Sequence, residues 1–342
     1  MVISSFIGIL AAELRLRLLA LNGKKVTIIN NVDKPEPKPD TGEKKEIEKD
    51  EKPEVLEQKQ EEVSEVIPKT PVVSQPKFSF AIIGDTQYFK PGTLGGYQTA
   101  VSSIRKINPN LIFALGDLVS SCDKKQKCEE KLNDWKSVLG GLSSKTYPIQ
   151  GNHDRIGKTK ADSAWQEVFS LPTNGPSGFS ELTYSFNYEN SHFIFLDSEK
   201  PEEHNVNKIQ RDWLERDLAS NKKENTFIFF HEPAYPVSSK IRESLDVKEK
   251  ERDALWDIFS RHKVTAVFSS HEHIHSRRKI NNIFQFVFGN TDSFDHELPA
   301  RGMAEYSYKG KSLGFVEIEG KQITVNLYSV NGKLINSFKF PS

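Results

Sequence analysis

The chain has 342 residues, enough for one large domain or two smaller ones. Its 47 Lys and Arg balance its 47 Asp and Glu, so the formal net charge is zero. That removes any global electrostatic case for nucleic acid, which favours a clearly basic domain. Two cysteines cannot build a Cys-type zinc site, whereas 22 phenylalanines, most of them beyond residue 78, can supply a sizeable core.

In chain order, residues 1–24 come first. Their uninterrupted run of apolar and small residues, 2–12, is shorter than the ~20 residues that span a bilayer. Glu13, Arg15 and Arg17 follow it, and a charge at a helix centre costs roughly 2.5–3.5 kcal/mol, which disfavours a centred span. No positive region precedes the run, so a signal peptide fits imperfectly. Ile3, Phe6, Ile7, Leu10, Leu14, Leu18 and Leu21 share one helical stripe, which predicts an amphipathic segment able to attach to a membrane surface. Residues 25–76 follow, with Pro35, Pro37, Pro39 and Pro53 set among Lys and Glu runs, the composition of a disordered charged linker. A folded domain is expected over residues 77–342.

Within that domain the pattern predicts strands at 78–83, 111–115, 145–150, 226–230 and 264–268, and an antiparallel pair at 184–188 and 192–196. Helices are expected at 99–106, 129–139, 209–220 and 248–262, and a run of strands in the tail. Strands alternating with helices, then strands alone, indicate a layered α/β domain. Trp135, Trp165, Trp213 and Trp256 fall in helical patterns and read as core. Cys122 and Cys128 flank one short stretch. A local disulfide is favoured over two free thiols, and it would require an oxidising compartment. The basic residues after the apolar run argue instead for a cytoplasmic remainder. Both placements stay open, with membrane attachment or export favoured over the cytoplasm.

Five predicted strand ends deliver oxygen or imidazole groups: Asp85, Asp117, Asn152, His231, and His271 with His273. Each has an ordinary reading alone, as a helix cap, a turn residue or a core histidine. Carboxylate, amide and imidazole together, without thiolate, suit Mn, Fe or Zn. The set is too rich for one ion and right for two, and a shared carboxylate can bridge two ions roughly 3.5–4 Å apart. His275 continues the alternation after His273 and could shift the ligand register. His204 and His296 read as solvated loop histidines, Arg155 as a surface salt-bridge partner and Asp197 as structural.

These motifs, Gly84-Asp85-Thr86-Gln87, Gly116-Asp117, Gly151-Asn152-His153-Asp154, His231 and Ser270-His271-Glu272-His273, resemble in kind and order those of the calcineurin-like metallophosphoesterases. The resemblance covers the chain from about residue 78 onward. It implies a four-layer α/β/β/α sandwich with a dimetal site at the strand ends, and two divalent or trivalent ions (Mn, Fe or Zn). Asp85, Asp117 and His273 would hold the first ion, and Asp117, Asn152, His231 and His271 the second. A metal-bridging hydroxide would attack a phosphomonoester or phosphodiester of a small or macromolecular substrate. His153 would protonate the leaving oxygen, with Asp154 as its orienting partner. Three departures stand out. Gln87 replaces the usual His and would be a weaker ligand of the first ion or a substrate contact. Ser120 stands where purple acid phosphatases carry a Tyr ligand. Ser270 replaces a Gly. An inactive phosphoesterase-fold binding protein is the competing class, disfavoured because the ligand set is otherwise intact.

Overall fold

The computed structural model describes residues 77–88, 95–122, 124–155 and 161–342, all within one compact unit, Lys69–Ser342. The readings for residues 1–24 and 25–76 lie outside the described residues. Among the described residues, no helix is long and apolar enough to cross a membrane.

Two sheets carry the fold. In the first, β1 (Lys77–Ile83), β2 (Leu111–Leu115) and β3 (Thr146–Ile149) run parallel. Beside β1 lie β11 (Ser312–Glu319), β12 (Gln322–Ser329) and β13 (Leu334–Pro341), all antiparallel to their neighbours. In the second, β5 (Ser191–Phe195), β6 (Asn225–Phe229), β7 (Ala266–Ser269) and β9 (Ile283–Phe288) are parallel. Antiparallel β4 (Tyr184–Tyr188) closes one side, and β8 (His275–Ile280) with β10 (Tyr306–Tyr308) the other.

Alternation along the strands sorts the core into layers. Phe80 and Phe113 of the first sheet meet Phe193, Phe195 and Phe229 of the second; the Phe113 ring lies 4.7 Å from Phe229 and 5.3 Å from Phe195. The alternate residues of the second sheet, Ile194, Ile228 and Val267, join a separate cluster. There they meet Trp213 and Leu214 of α4 (Lys208–Ser220) and Trp256 and Phe259 of α5 (Glu249–Arg261). Tyr97 and Ile104 of α1 (Gly96–Ile107), Trp135 of α2 (Lys125–Leu139) and Trp165 of α3 (Ala161–Val168) pack with the first sheet. The result is helix, sheet, sheet, helix, with phenylalanine as the central filling. Fully burying one such side chain contributes roughly 1.5–3 kcal/mol.

The expected elements form, with shifted ends. Helix α1 begins three residues before its predicted start and α2 four before. Helix α3 lies outside the predicted ranges, although the pattern around Trp165 is helical. Cys122 and Cys128 are joined in a disulfide at the start of α2, their Cα atoms 4.7 Å apart. The geometry that matters for function is simpler. β1, β2, β3, β6 and β7 all point the same ends of their chains toward one edge, and the loops leaving those carboxyl ends carry the polar residues.

Candidate metal centre

Asp85 follows β1 and Asp117 follows β2. Asn152 and His153 lie in a single 3-10 turn, Asn152–Asp154, after β3. His231 follows β6, and His271 and His273 follow β7. Asp85, Asp117, Gln87 and His271 all adopt left-handed backbone, with φ of 46°, 51°, 37° and 68°. Such angles are costly for residues with a Cβ and concentrate where function requires them. Two glycines make room. A Cβ on Gly116, itself at φ 86°, would lie 2.5 Å from His231 Nδ1, and one on Gly151 would lie 2.3 Å from Asp117 Oδ1.

The side chains converge as two overlapping groups. Asp85, Asp117 and His273 form one, and Asp117, His231 and His271 the other; within each, one ligand atom per residue lies within 4.8 Å of the rest. Asp117 belongs to both. All five residues are buried. Asn152 Oδ1 lies 3.2 Å from His231 Nε2 and so completes the second group.

The hydrogen bonds fix which histidine nitrogens are bare. His231 Nδ1 donates to the Leu115 carbonyl at 2.7 Å, which leaves Nε2 facing Asp117 Oδ1 at 3.4 Å. His271 Nε2 donates to the Glu243 carbonyl at 2.9 Å, which leaves Nδ1 facing inward, 3.2 Å from His231 Nε2. His273 Nδ1 donates to Ser293 Oγ at 2.9 Å, and its Nε2 lies 3.2 Å from Asp85 Oδ1. Asp85 Oδ1 is buried with no hydrogen-bond partner. Its other oxygen accepts from Ser270 Oγ and from the His271 N–H. Bare nitrogens aimed at one another and an orphaned carboxylate oxygen are the donor set of a cation site, so the residues fit two metal ions.

Titration follows from the same crowding. Burial opposes charge on His231, but the Asp117 and Asp85 carboxylates outweigh it and raise its pKa to about 9. Burial also pushes Asp85 up, yet the His273 ring, 3.2 Å from its Oδ1, with the His231 charge and the Ser270 hydroxyl, holds it below the usual carboxylate range. Burial, with the charge of Asp85, raises Asp117 despite His231. Without cations a proton on His231 thus does the neutralising work that an ion would do.

The remaining expected residues need individual accounts. His153 reaches the site from the solvent side: its backbone N–H donates to Asp117 Oδ1 at 2.9 Å, and its Nε2 lies 3.8 Å from Asp117 Oδ2. Asp154 does not orient it. The Asp154 carboxylate accepts from the N–H groups of Gly151 at 2.9 Å, Val119 at 3.1 Å and Leu118 at 3.2 Å, tying the loops after β2 and β3 together. The His153 ring is held instead by the carbonyl of Ser120, which accepts from Nδ1 at 2.8 Å. Gln87 sits beside His273, but its Nε2, 3.3 Å from His273 Nε2, faces the site. Its oxygen accepts from Ser293 Oγ at 3.1 Å, so ligation through oxygen would give up that bond. His275 lies outside both groups, buried against Phe288 and Tyr306.

His296 is no solvated loop residue. Its ring stacks on His273, centroids 4.2 Å apart, and its Nδ1 accepts from the His273 N–H at 3.2 Å. His204 Nδ1 donates to the buried Glu232 carboxylate at 2.8 Å. The sequence reading left out Ser293, which joins Gln87 to His273. The substituted Gln87 was the available signal, since an amide in place of an imidazole needs its own partner.

Comparisons with known proteins agree with this geometry. The description of the calcineurin-like phosphoesterases matches residues 78–275. The tartrate-resistant acid phosphatase type 5 of Sus scrofa is 21% identical over 305 residues, covering 78% of this chain and 87% of that protein. Purple acid phosphatase 23 of Arabidopsis thaliana is 23% identical over 234 residues, covering 60% of this chain and 48% of that protein.

 Among solved structures, a purple acid phosphatase from yellow lupin (Lupinus luteus) seeds superposes with a TM-score of 0.62 at 15% identity. This chain spans about half of that one, 54%, with 78% of its own length. GAP50, described as the anchor in the inner membrane complex of Plasmodium, superposes with a TM-score of 0.54 at 15% identity, over 78% of this chain and 89% of that one.

Proposed function

The chain belongs to the calcineurin-like phosphoesterase family, and on that premise we propose that it hydrolyses phosphoester bonds at a dinuclear metal centre held by Asp85, Asp117, Asn152, His231, His271 and His273. The observation that carries the reading is the membership of Asp117 in both ligand groups. Two bound cations would supply Lewis-acid stabilisation of the phosphoryl oxygens and an activated water. The oxygen and nitrogen donors, with no thiolate, suit Mn, Fe or Zn.

The protein's own contribution is placement and proton delivery. Backbone N–H groups of His153 and His271 hold Asp117 and Asp85 in fixed orientations. The Ser120 carbonyl accepts a hydrogen bond from His153 Nδ1–H, so Nε2 is the nitrogen that faces the mouth of the site and hands a proton to the leaving oxygen. Asp154 keeps the Asn152–Asp154 turn closed and moves no proton.

A hydrolysis panel of phosphomonoesters and phosphodiesters with added Mn, run beside metal analysis, tests the proposal. Turnover of either class, dependent on two bound ions, is expected. A protein holding two ions that cleaves no phosphoester would refute it and establish the competing reading, a binding protein on this fold. Gln87 is the observation that favours the competitor, because its amide nitrogen stands where the family pattern has an imidazole. The Cys122–Cys128 disulfide supports placement in an oxidising compartment. Quantitative free thiol in protein taken from its own compartment would overturn that placement.

A further inference from the structure

Among the described residues Phe294 is the only exposed Phe, Tyr or Trp, at 68% exposure. Most other described phenylalanines are buried in the core. A single exposed apolar side chain is ordinary on a protein surface, so what marks Phe294 is where it sits.

That position is at the metal centre. The Phe294 ring meets the ligand His273 edge-on at 4.6 Å and His296 at 5.1 Å, while His296 itself stacks on His273. The loop is held in place on both sides. Ser293 Oγ joins it to Gln87 and His273, the Ser293 N–H donates to Asn290 Oδ1 at 3.0 Å, and Asn290 Nδ2 donates to Asp295 Oδ1 at 2.6 Å. Two of the other exposed large apolar residues lie on the neighbouring stretches of chain. Leu298, at 48%, follows His296 by two residues. Ile241, at 42%, lies between Lys240, whose charge acts on the His296 ring, and Glu243, whose carbonyl receives the His271 proton.

We propose that Phe294 and His296 form a ring-binding subsite beside the two metal positions, and that the substrate's leaving group carries a planar aromatic ring. This rests on the phosphoesterase reading and names its substrate class. A phosphoryl group seated over the ligands would lie beside His273, the ligand that both of these rings touch. Aromatic faces stack on one another with little dependence on ring identity, so an aryl group and a nucleobase are both served.

The test uses the full chain loaded with Mn and two non-hydrolysable probes, phenylphosphonate and methylphosphonate, with binding followed by calorimetry. The wild type should bind the phenyl compound about three- to tenfold tighter, the preference should vanish in Phe294→Ala, and Phe294→Tyr should restore it. Equal affinity for the two probes in the wild type, or an unchanged preference in Phe294→Ala, would overturn the subsite while leaving the phosphoesterase reading intact. Binding of neither probe would overturn both. The source of the ring is read from turnover. A nucleobase subsite favours adenosine 5′-monophosphate over ribose 5-phosphate in KM, and an aryl subsite favours phenyl phosphate over both. In either case the ratio should fall in Phe294→Ala.

Discussion

Gly151→Ala isolates the Asp117 carboxylate that the two ligand groups share. Gly151 has φ −112° and ψ 179°, extended backbone that alanine adopts freely, so the change tests space and not strain. The new Cβ would lie 2.3 Å from Asp117 Oδ1, 2.4 Å from the Asp117 nitrogen and 2.8 Å from His231 Cε1. None of these is the free end of a flexible side chain. Carbon contacts relax near ~3.5 Å, so the Asp117 carboxylate must retreat by on the order of 1 Å. Overpacking of this kind costs about 1–3 kcal/mol. At roughly 2–4 °C per kcal/mol for a large domain, the melting temperature should fall by roughly 2–12 °C. The domain therefore stays folded at room temperature. Function should suffer more, because a shift of about 1 Å at a reacting centre can cost on the order of 10²-fold in rate. Calorimetry, Mn content and kcat/KM for a phosphomonoester measure the three effects. Gly141→Ala is the control, since a Cβ there meets nothing within 4 Å. A folded Gly151→Ala with two tightly bound ions and wild-type kcat/KM would refute the placement of Asp117 between the ligand groups.

Other expectations follow from single contacts. His153→Ala keeps the backbone N–H that holds Asp117, so two ions should remain bound while turnover falls about 10²–10⁴-fold for a poor leaving group; an equal loss with a nitrophenolate leaving group would count against proton delivery. Asp117→Asn should bind at most one ion tightly, whereas Asp85→Asn should spare the second, because Asp85 belongs to one group only; plasma emission analysis beside circular dichroism decides this. Asp197 is buried, and burial raises its pKa to about 6 despite the charge of Arg155. Its neutral form is therefore favoured in the fold, and its contribution to stability is fully present below pH 3.8 and lost as pH rises through about 6. The stability difference between wild type and Asp197→Asn should move against the wild type across that window, by at most about 1.4 kcal/mol per pH unit. A difference that stays flat from pH 4 to pH 7 would show that Asp197 is not held neutral.

What the sequence made legible was the part set by local pattern. The alternation of Phe193, Ile194 and Phe195 marks a strand buried on both faces, and the structure puts its phenylalanines between the sheets and its isoleucine under α4 and α5. The candidate ligands fall at strand ends because parallel strands in an α/β layer present their carboxyl ends together, so the strand pattern pointed to Asp85, Asp117, Asn152, His231 and His271, while the resemblance supplied their grouping and the His271 and His273 register. Partnership was not legible. Asp154 stands next to His153 in sequence, and a carboxylate beside a histidine invites the reading of an orienting pair. The 3-10 turn, however, points the Asp154 side chain back at the N–H groups of Leu118 and Val119, which would otherwise be left buried and unsatisfied. The bond that orients His153 comes from a main-chain carbonyl, at Ser120, and any residue can supply a carbonyl, so no residue type could have announced it. The same holds for Leu115 and Glu243, whose carbonyls set the bare nitrogens of His231 and His271. The chemistry of this centre is thus written in side chains that spacing reveals, and its proton placement in backbone groups that only the fold brings into register.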